Sequence, residues 1–179
     1  MKSNVKSRIS MLLMISIIQV AITLSFLPIP ASATALTDYA ENKIVDDIFR
    51  TTAYTKPTTV YVGLVLGSAP CSDSAAGTEV TYTGYARVAV TKGDASWKGS
   101  HGSATGASSG TNGTISNAAA ITFPAATSDG DGAVGYFAIY DAASAGNQII
   151  CSALTASRTI TNGSTPAFAI DALTIQIDN

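Results

Sequence analysis

Residues able to do chemistry are sparse in this chain, and their spacing decides what they can do. Acid–base and nucleophilic catalysis draw on His, on Cys beside a base, or on paired carboxylates held in differing surroundings. The 179-residue chain has one His, and His101 stands in the run Lys92 to Gly113, KGDASWKGSHGSATGASSGTNG. A solvated loop residue is expected there rather than a general base. The acids are scattered, and several occupy turns, where Asp suits the backbone geometry without further function. A Gly-rich phosphate cradle follows a strand and opens a helix, whereas the one helix expected here precedes every strand. No catalytic residue and no cofactor is assigned, and the chain reads as a non-enzyme.

The two cysteines, Cys71 and Cys151, fit a single disulfide in an oxidising compartment; the alternative is two free thiols with Cys151 buried as a small hydrophobe. Two cysteines and a distant His make no zinc site. In Asp129-Gly130-Asp131-Gly132, alternate carboxylates on a turn resemble the start of a calcium loop, but the distal bidentate Glu is missing. Asp129 and Asp131 are weak calcium candidates, and no metal is assigned. Asn112-Gly113-Thr114 and Asn162-Gly163-Ser164 satisfy the glycosylation sequon, yet Asn-Gly is foremost a turn signal, and both are read as turns. Tyr61, Tyr82, Tyr85, Tyr136 and Tyr140 are expected mainly as core or cross-strand residues. Trp97, alone in the long loop, is the candidate contact for a sugar or partner.

The elements that must hold these residues follow from periodicity. Leu36, Ala40, Ile44 and Ile48 recur every four positions, widened by Val45 and Phe49, with Asp38 and Glu41 early and Lys43 and Arg50 late. That order suits the helix dipole, and one amphipathic helix is expected over about 36–50. Beyond Pro57 the period becomes two. Strands are expected at Thr58–Leu66, at Glu79–Thr91 by strict alternation, and at Thr114–Phe123 and Ala133–Ala142. Further strands are expected at Gln148–Leu154, at Arg158–Thr161 and at Ala167–Ile177, the last with a bulge near Asp171-Ala172. A long Gly/Ser-rich loop is expected over about 92–113. Short strands at this spacing predict a mainly β fold, an antiparallel β-sandwich or jelly roll, preceded by one helix.

Ahead of this domain, Lys2, Lys6 and Arg8 precede an apolar run from Ile9 to Leu27 that closes on Pro28, Pro30 and Ala31-Ser32-Ala33. This is the pattern of a secretory signal peptide, 1–33, with 34–179 as a single β-rich domain; an uncleaved signal anchor is the alternative. Removing Lys2, Lys6 and Arg8 from ten basic residues leaves seven against twelve acidic, a net charge of −5. Such a chain offers no basic patch for nucleic acid, and no later stretch is apolar for long enough to span a membrane. A secreted, extracellular location follows, on a cell surface or a virion.

At Gly77 to Val90, GTEVTYTGYARVAV, a family resemblance becomes visible. Together with Lys56-Pro57-Thr58, Phe123-Pro124, the run Phe137 to Ala142 (FAIYDA) and the run Leu154 to Thr159 (LTASRT), it spans Leu36 to Asp178. In this order the motifs resemble small phage proteins described as tail fibre or virion appendage proteins. The resemblance implies a non-enzymatic structural β-domain working as a repeated copy, with copies of itself as partners. Two features depart from that family: the leader, and the length of the loop from Gly93 to Gly113. Export would instead suit a cell-surface filament or matrix subunit assembled by strand addition, through Ala33 to Leu36 with the helix or through the last strand. A secreted carbohydrate-binding or adhesin module contacting a glycan or receptor is a further alternative.

Overall fold

A computed structural model describes residues 31–33, 36–99 and 113–177. Strand β1, Ala31–Ala33, leads into helix α1, Asp38–Phe49. The remaining strands are β2 (Thr59–Leu66), β3 (Val88–Thr91), β4 (Trp97–Gly99), β5 (Thr114–Asn117), β6 (Ile121–Thr122), β7 (Ala133–Tyr140), β8 (Gln148–Thr159), β9 (Ala167–Phe168) and β10 (Leu173–Gln176). The protein is mainly β with one helix, as the periodicities predict. Among the described residues no helix is long and apolar enough to cross a membrane.

Eight strands form one sheet in the order β3-β2-β7-β8-β1-β10-β5-β4, and β6 pairs with β9 in a separate ribbon. Every pairing is antiparallel except that of β1 with β10. In this order β1 is the link between β3-β2-β7-β8 and β10-β5-β4. Both halves and the ribbon feed a single core: Val62, Leu64 and Leu66 of β2 meet Phe137 of β7, Phe168 of β9 and Leu173 and Ile175 of β10. Edge-to-face contacts join Phe137 to Phe168 and Phe168 to Phe123, with centroids 5.8 and 6.2 Å apart. Truncating a ring in such a cluster to Ala costs about 3–5 kcal/mol, because the cavity left behind adds to the lost transfer energy.

The helix is anchored at its N-terminal end. Thr37 sits at the cap position, but its hydroxyl donates to the carbonyls of Gln148 (2.6 Å) and Ile149 (3.2 Å), and its N–H to Ile149 O. With the bridge from Leu36 to Ile150, this binds the chain entering α1 to β8 instead of capping the helix. The helix therefore starts two residues later than its sequence period suggests. Within it only Ala40 is buried, and Val45, Ile48 and Phe49 are exposed by 51, 64 and 79%. The apolar stripe is present, yet Val45, Ile48 and Phe49 at its C-terminal part are exposed rather than packed on the described residues.

Four strand expectations change. The alternating run Glu79–Thr91 is a strand only over Val88–Thr91. Val80 and Tyr82 do point into the core, but the N–H of Tyr85 turns back to Tyr82 O across Gly84, whose φ is +100°. The alternation thus records one buried face on a chain that turns, not a straight ladder. Thr114–Phe123 divides at Asn117, which is buried and donates to Ala119 O and Ala169 O while accepting from Leu173 N–H. β8 continues past Ala156-Ser157 to Thr159, but its pairing with β7 shifts register between Ala153 and Arg158, so the expected division is a bulge within one strand rather than its end. The expected long loop contains β4, and its residues 100–112, with His101, lie outside the described residues. Ala167–Ile177 is not one strand either: β9 pairs in the ribbon and β10 in the main sheet, and the bend expected near Asp171-Ala172 separates them, with Asp171 at φ +63°.

Candidate functional site

On the face of β2 and β7 opposite the main core, the segment between β2 and β3 folds back and is fastened by a polar cluster. Arg87 lies with its guanidinium 3.4 Å from the centre of the Tyr140 ring and pairs with Glu79 at 2.6 Å. Its remaining N–H groups donate to Ala142 O and Ala145 O, each at 2.8 Å. The Tyr85 hydroxyl donates to Glu79 Oε2 at 2.6 Å and accepts from Leu64 N–H at 3.0 Å. Burial and Glu79 push the Tyr85 hydroxyl far above the usual tyrosine range, and burial with Glu79 pushes Tyr140 up to about 12. Arg87 is nearly buried, so its charge is tolerated because Glu79, the Tyr140 ring and two carbonyls replace its water.

Two glycines make room for this cluster. A Cβ on Gly63 would lie 2.8 Å from Glu79 Oε2 and 3.1 Å from the Tyr140 ring. One on Gly77 would meet the Ala69 carbonyl oxygen and Pro70 carbonyl carbon at 2.6 Å. The motifs GTEV and GYAR therefore supply a fastening: Gly77 for the tight crossing, and Glu79, Tyr85 and Arg87 for the polar lock. Beside it Cys71 and Cys151 form a disulfide across 80 positions of sequence, packed with Val65, Ala138 and Tyr140. Three side chains of these motifs, Glu79, Tyr85 and Arg87, converge beside Tyr140, a meeting that the motifs alone do not reveal. The usable signal was Glu, Tyr and Arg recurring beside a strand interrupted by Gly63.

The other sequence candidates are placed separately. Asp131 accepts from Thr81 N–H and Thr81 Oγ1, and these bonds hold its carboxyl below the usual carboxylate range. Asp129 accepts from Asn162 N–H. Each carboxylate staples a different loop. Trp97 opens β4, half-buried against the main core, with Asn117 as its partner across the ladder. Tyr82 and Tyr140 are buried, and Tyr85 stacks parallel to Phe123 at 6.4 Å. These three build the interior rather than a stacking platform.

Among the described residues the exposed large apolar side chains are Val45, Ile48 and Phe49 at the helix end, with Ile170 and Ile177, and β3 and β4 stand at the two ends of the strand order. Beside β3 a shallow groove of about 140 Å³ is lined by Val88–Thr91, Ser96 and Ala119–Ile121. Polar side chains that fasten loops, together with uncovered edges and an uncovered apolar helix end, suit packing against other chains better than turnover of a small molecule.

The model of the family described as Podophage GP4 fiber I protein gp80 matches residues 35–176. The chain belongs to this fibre family. The match runs from the entry to α1 to the end of β10, so it takes in both motifs of the polar lock and both cysteines. A search of curated proteins finds no match. Membership makes the chain a structural fibre protein of a virion, in a family that is not one of enzymes, and a component of a particle lying outside the host cell.

Proposed function

We propose that this chain is a fibre subunit that acts in repeated copies, each copy contributing a disulfide-tied β domain to an elongated appendage. The family match over residues 35–176 carries this reading. The uncovered Val45, Ile48 and Phe49 support it, because apolar side chains this exposed on an anchored helix gain from burial against a neighbour. Low charge supports it as well: 12% charged residues leave few groups to desolvate where copies meet. Antibody labelling of purified particles tests the reading. Label along a fibre, at several copies per particle, is expected; label confined to free protein would overturn it.

Export is part of the proposal, and the basic-then-apolar start, Lys2 to Leu27, supports it. A cut after Ala33 would remove β1 and leave Leu36 and Thr37 as the segment seated on β8 ahead of the helix. Sequencing the N-terminal residue of secreted protein decides the point: a start at Met1 in a cytoplasmic particle contradicts export. Export also favours a second reading, a cell-surface filament built by strand addition. The same domain and the same free edges β3 and β4 would serve it, and filaments in culture fluid free of phage particles would distinguish it. Glycan or receptor contact through Trp97 is the reading the half-buried indole supports least, and unchanged cell binding after Trp97→Ala would eliminate it.

A further inference from the structure

The N-terminal arm, β1 with α1, is attached to the body in a way that suits exchange between copies. Its contacts are concentrated towards its N-terminal end: β1 lies between β8 and β10 and pairs with both, Leu36 bridges Ile150, Thr37 makes three bonds to the Gln148 and Ile149 carbonyls, and Asp38 N–H donates to Asp73 O. Tyr39 adds a bond to Asp141 at 3.3 Å. Past Ala40 no residue of the helix is buried. From Arg50 to Thr58 the chain has no helix or strand and is mostly exposed before it enters β2. Nine extended residues reach about 30 Å, enough to pass from one body to a neighbouring one.

We propose that in the assembled fibre this arm is exchanged, so that residues 36–49 of each copy, together with β1 wherever it is retained, seat along β8 of a second copy. The proposal rests on the repeated-copy reading above. The occupant is argued from the molecule itself: the slot along β8 already fits this segment, so the bonds of Leu36, Thr37 and Tyr39 are the same whether the arm comes from its own chain or from another. Exchange therefore reproduces the arm's bonds to the body and opens only those by which Asp47 holds Tyr54 N–H and Lys56 in the linker. It also accounts for the uncovered helix end. Val45, Ile48 and Phe49 lie beside the linker, and where two linkers cross between bodies the same three side chains of both copies come together. Closed arms leave that apolar surface in water, and exchanged arms bury it. An arm passed on from copy to copy gives a chain of subunits, and a reciprocal pair gives a closed dimer.

Photo-crosslinking of the full chain tests this. In Tyr39→p-azidophenylalanine the probe lies against the loop from Asp141 to Asn147. Because Phe49 is exposed, Phe49→p-azidophenylalanine leaves the arm–body contacts intact and serves as the second variant. After irradiation of material that sediments as an oligomer, exchange predicts that most of the Tyr39 product runs at twice the chain mass on a denaturing gel. Peptide mapping should join the arm to the Asp141–Asn147 loop, and the Phe49 probe should join residues 45–50 of two copies. Tyr39 links confined to single chains in that oligomer overturn exchange, whatever the Phe49 probe does, and leave the repeated-copy reading standing. A chain that sediments only as a monomer overturns both.

Discussion

At the scale of single residues, the lock around Arg87 makes the strongest stability prediction. Its guanidinium pairs with Glu79, lies on Tyr140 and donates to two carbonyls, so Arg87→Ala strands Glu79 and two backbone acceptors beside apolar surface. Breaking a buried pair from one side costs about 3 kcal/mol or more. A chemical-denaturation midpoint unchanged in Arg87→Ala would contradict this account of the motif. Gly63→Ala should cost about 1–3 kcal/mol through overpacking, since the new methyl group meets Glu79 and Tyr140. Charge at the lock also sets an alkaline limit. Tyr85 and Tyr140 hold their protons more tightly folded than unfolded, so their contribution is complete below the ordinary tyrosine pKa near 10. It is lost as pH rises through the raised folded values. Ultraviolet titration should show these two hydroxyls ionising only together with unfolding, and free titration near pH 10 of all seven tyrosines would contradict it. At the acid end Asp131 has the opposite sign: its depressed folded pKa gives stability above the ordinary carboxylate range that fades as pH falls through it.

At the scale of elements, legibility depended on whether a pattern is local. The period of four over Leu36 to Ile48 marks a real helix, because i to i+4 spacing is a property of the segment alone. The alternation from Glu79 to Thr91 is equally clear in sequence and misleads about the ladder: Val80 and Tyr82 are buried as predicted, yet Gly84 turns the chain before β3 begins. Hydrophobic alternation reports which side chains face the core and is silent on which backbone groups pair. The break at Asn117 has no sequence signal, since its role comes from carbonyls and an N–H lying up to 56 positions away. The lock has no local signal for the same reason, since Tyr140 and Arg87 are brought together by the pairing of β2 with both β7 and β3. The disulfide ties the folded-back segment to β8, and closing its 80-residue loop restricts the unfolded chain by about 4 kcal/mol. Reduction should lower the unfolding midpoint accordingly. Two titratable thiols in unreduced protein, with equal mobility on reducing and non-reducing gels, would contradict it.

At the scale of the whole molecule, the chain presents one core, two sheet edges and an uncovered helix end. The proposal that copies of this domain pack together rests on the exposed Val45, Ile48 and Phe49 of the helix end. Membership of the podophage fibre family gives that packing a setting, the virion appendage. Adding charge to the helix end should then act on assembly and spare the fold. Phe49→Glu is expected to leave the unfolding midpoint within about 0.5 kcal/mol of the parent, as for other exposed sites, while weakening association at least tenfold. The most direct test of the central claim is the native mass of the full disulfide-bonded chain, measured by sedimentation velocity across a concentration series. A repeated fibre subunit predicts discrete species at integral multiples of the mass that the same sample shows on denaturation. A single species at that mass throughout the series would contradict it.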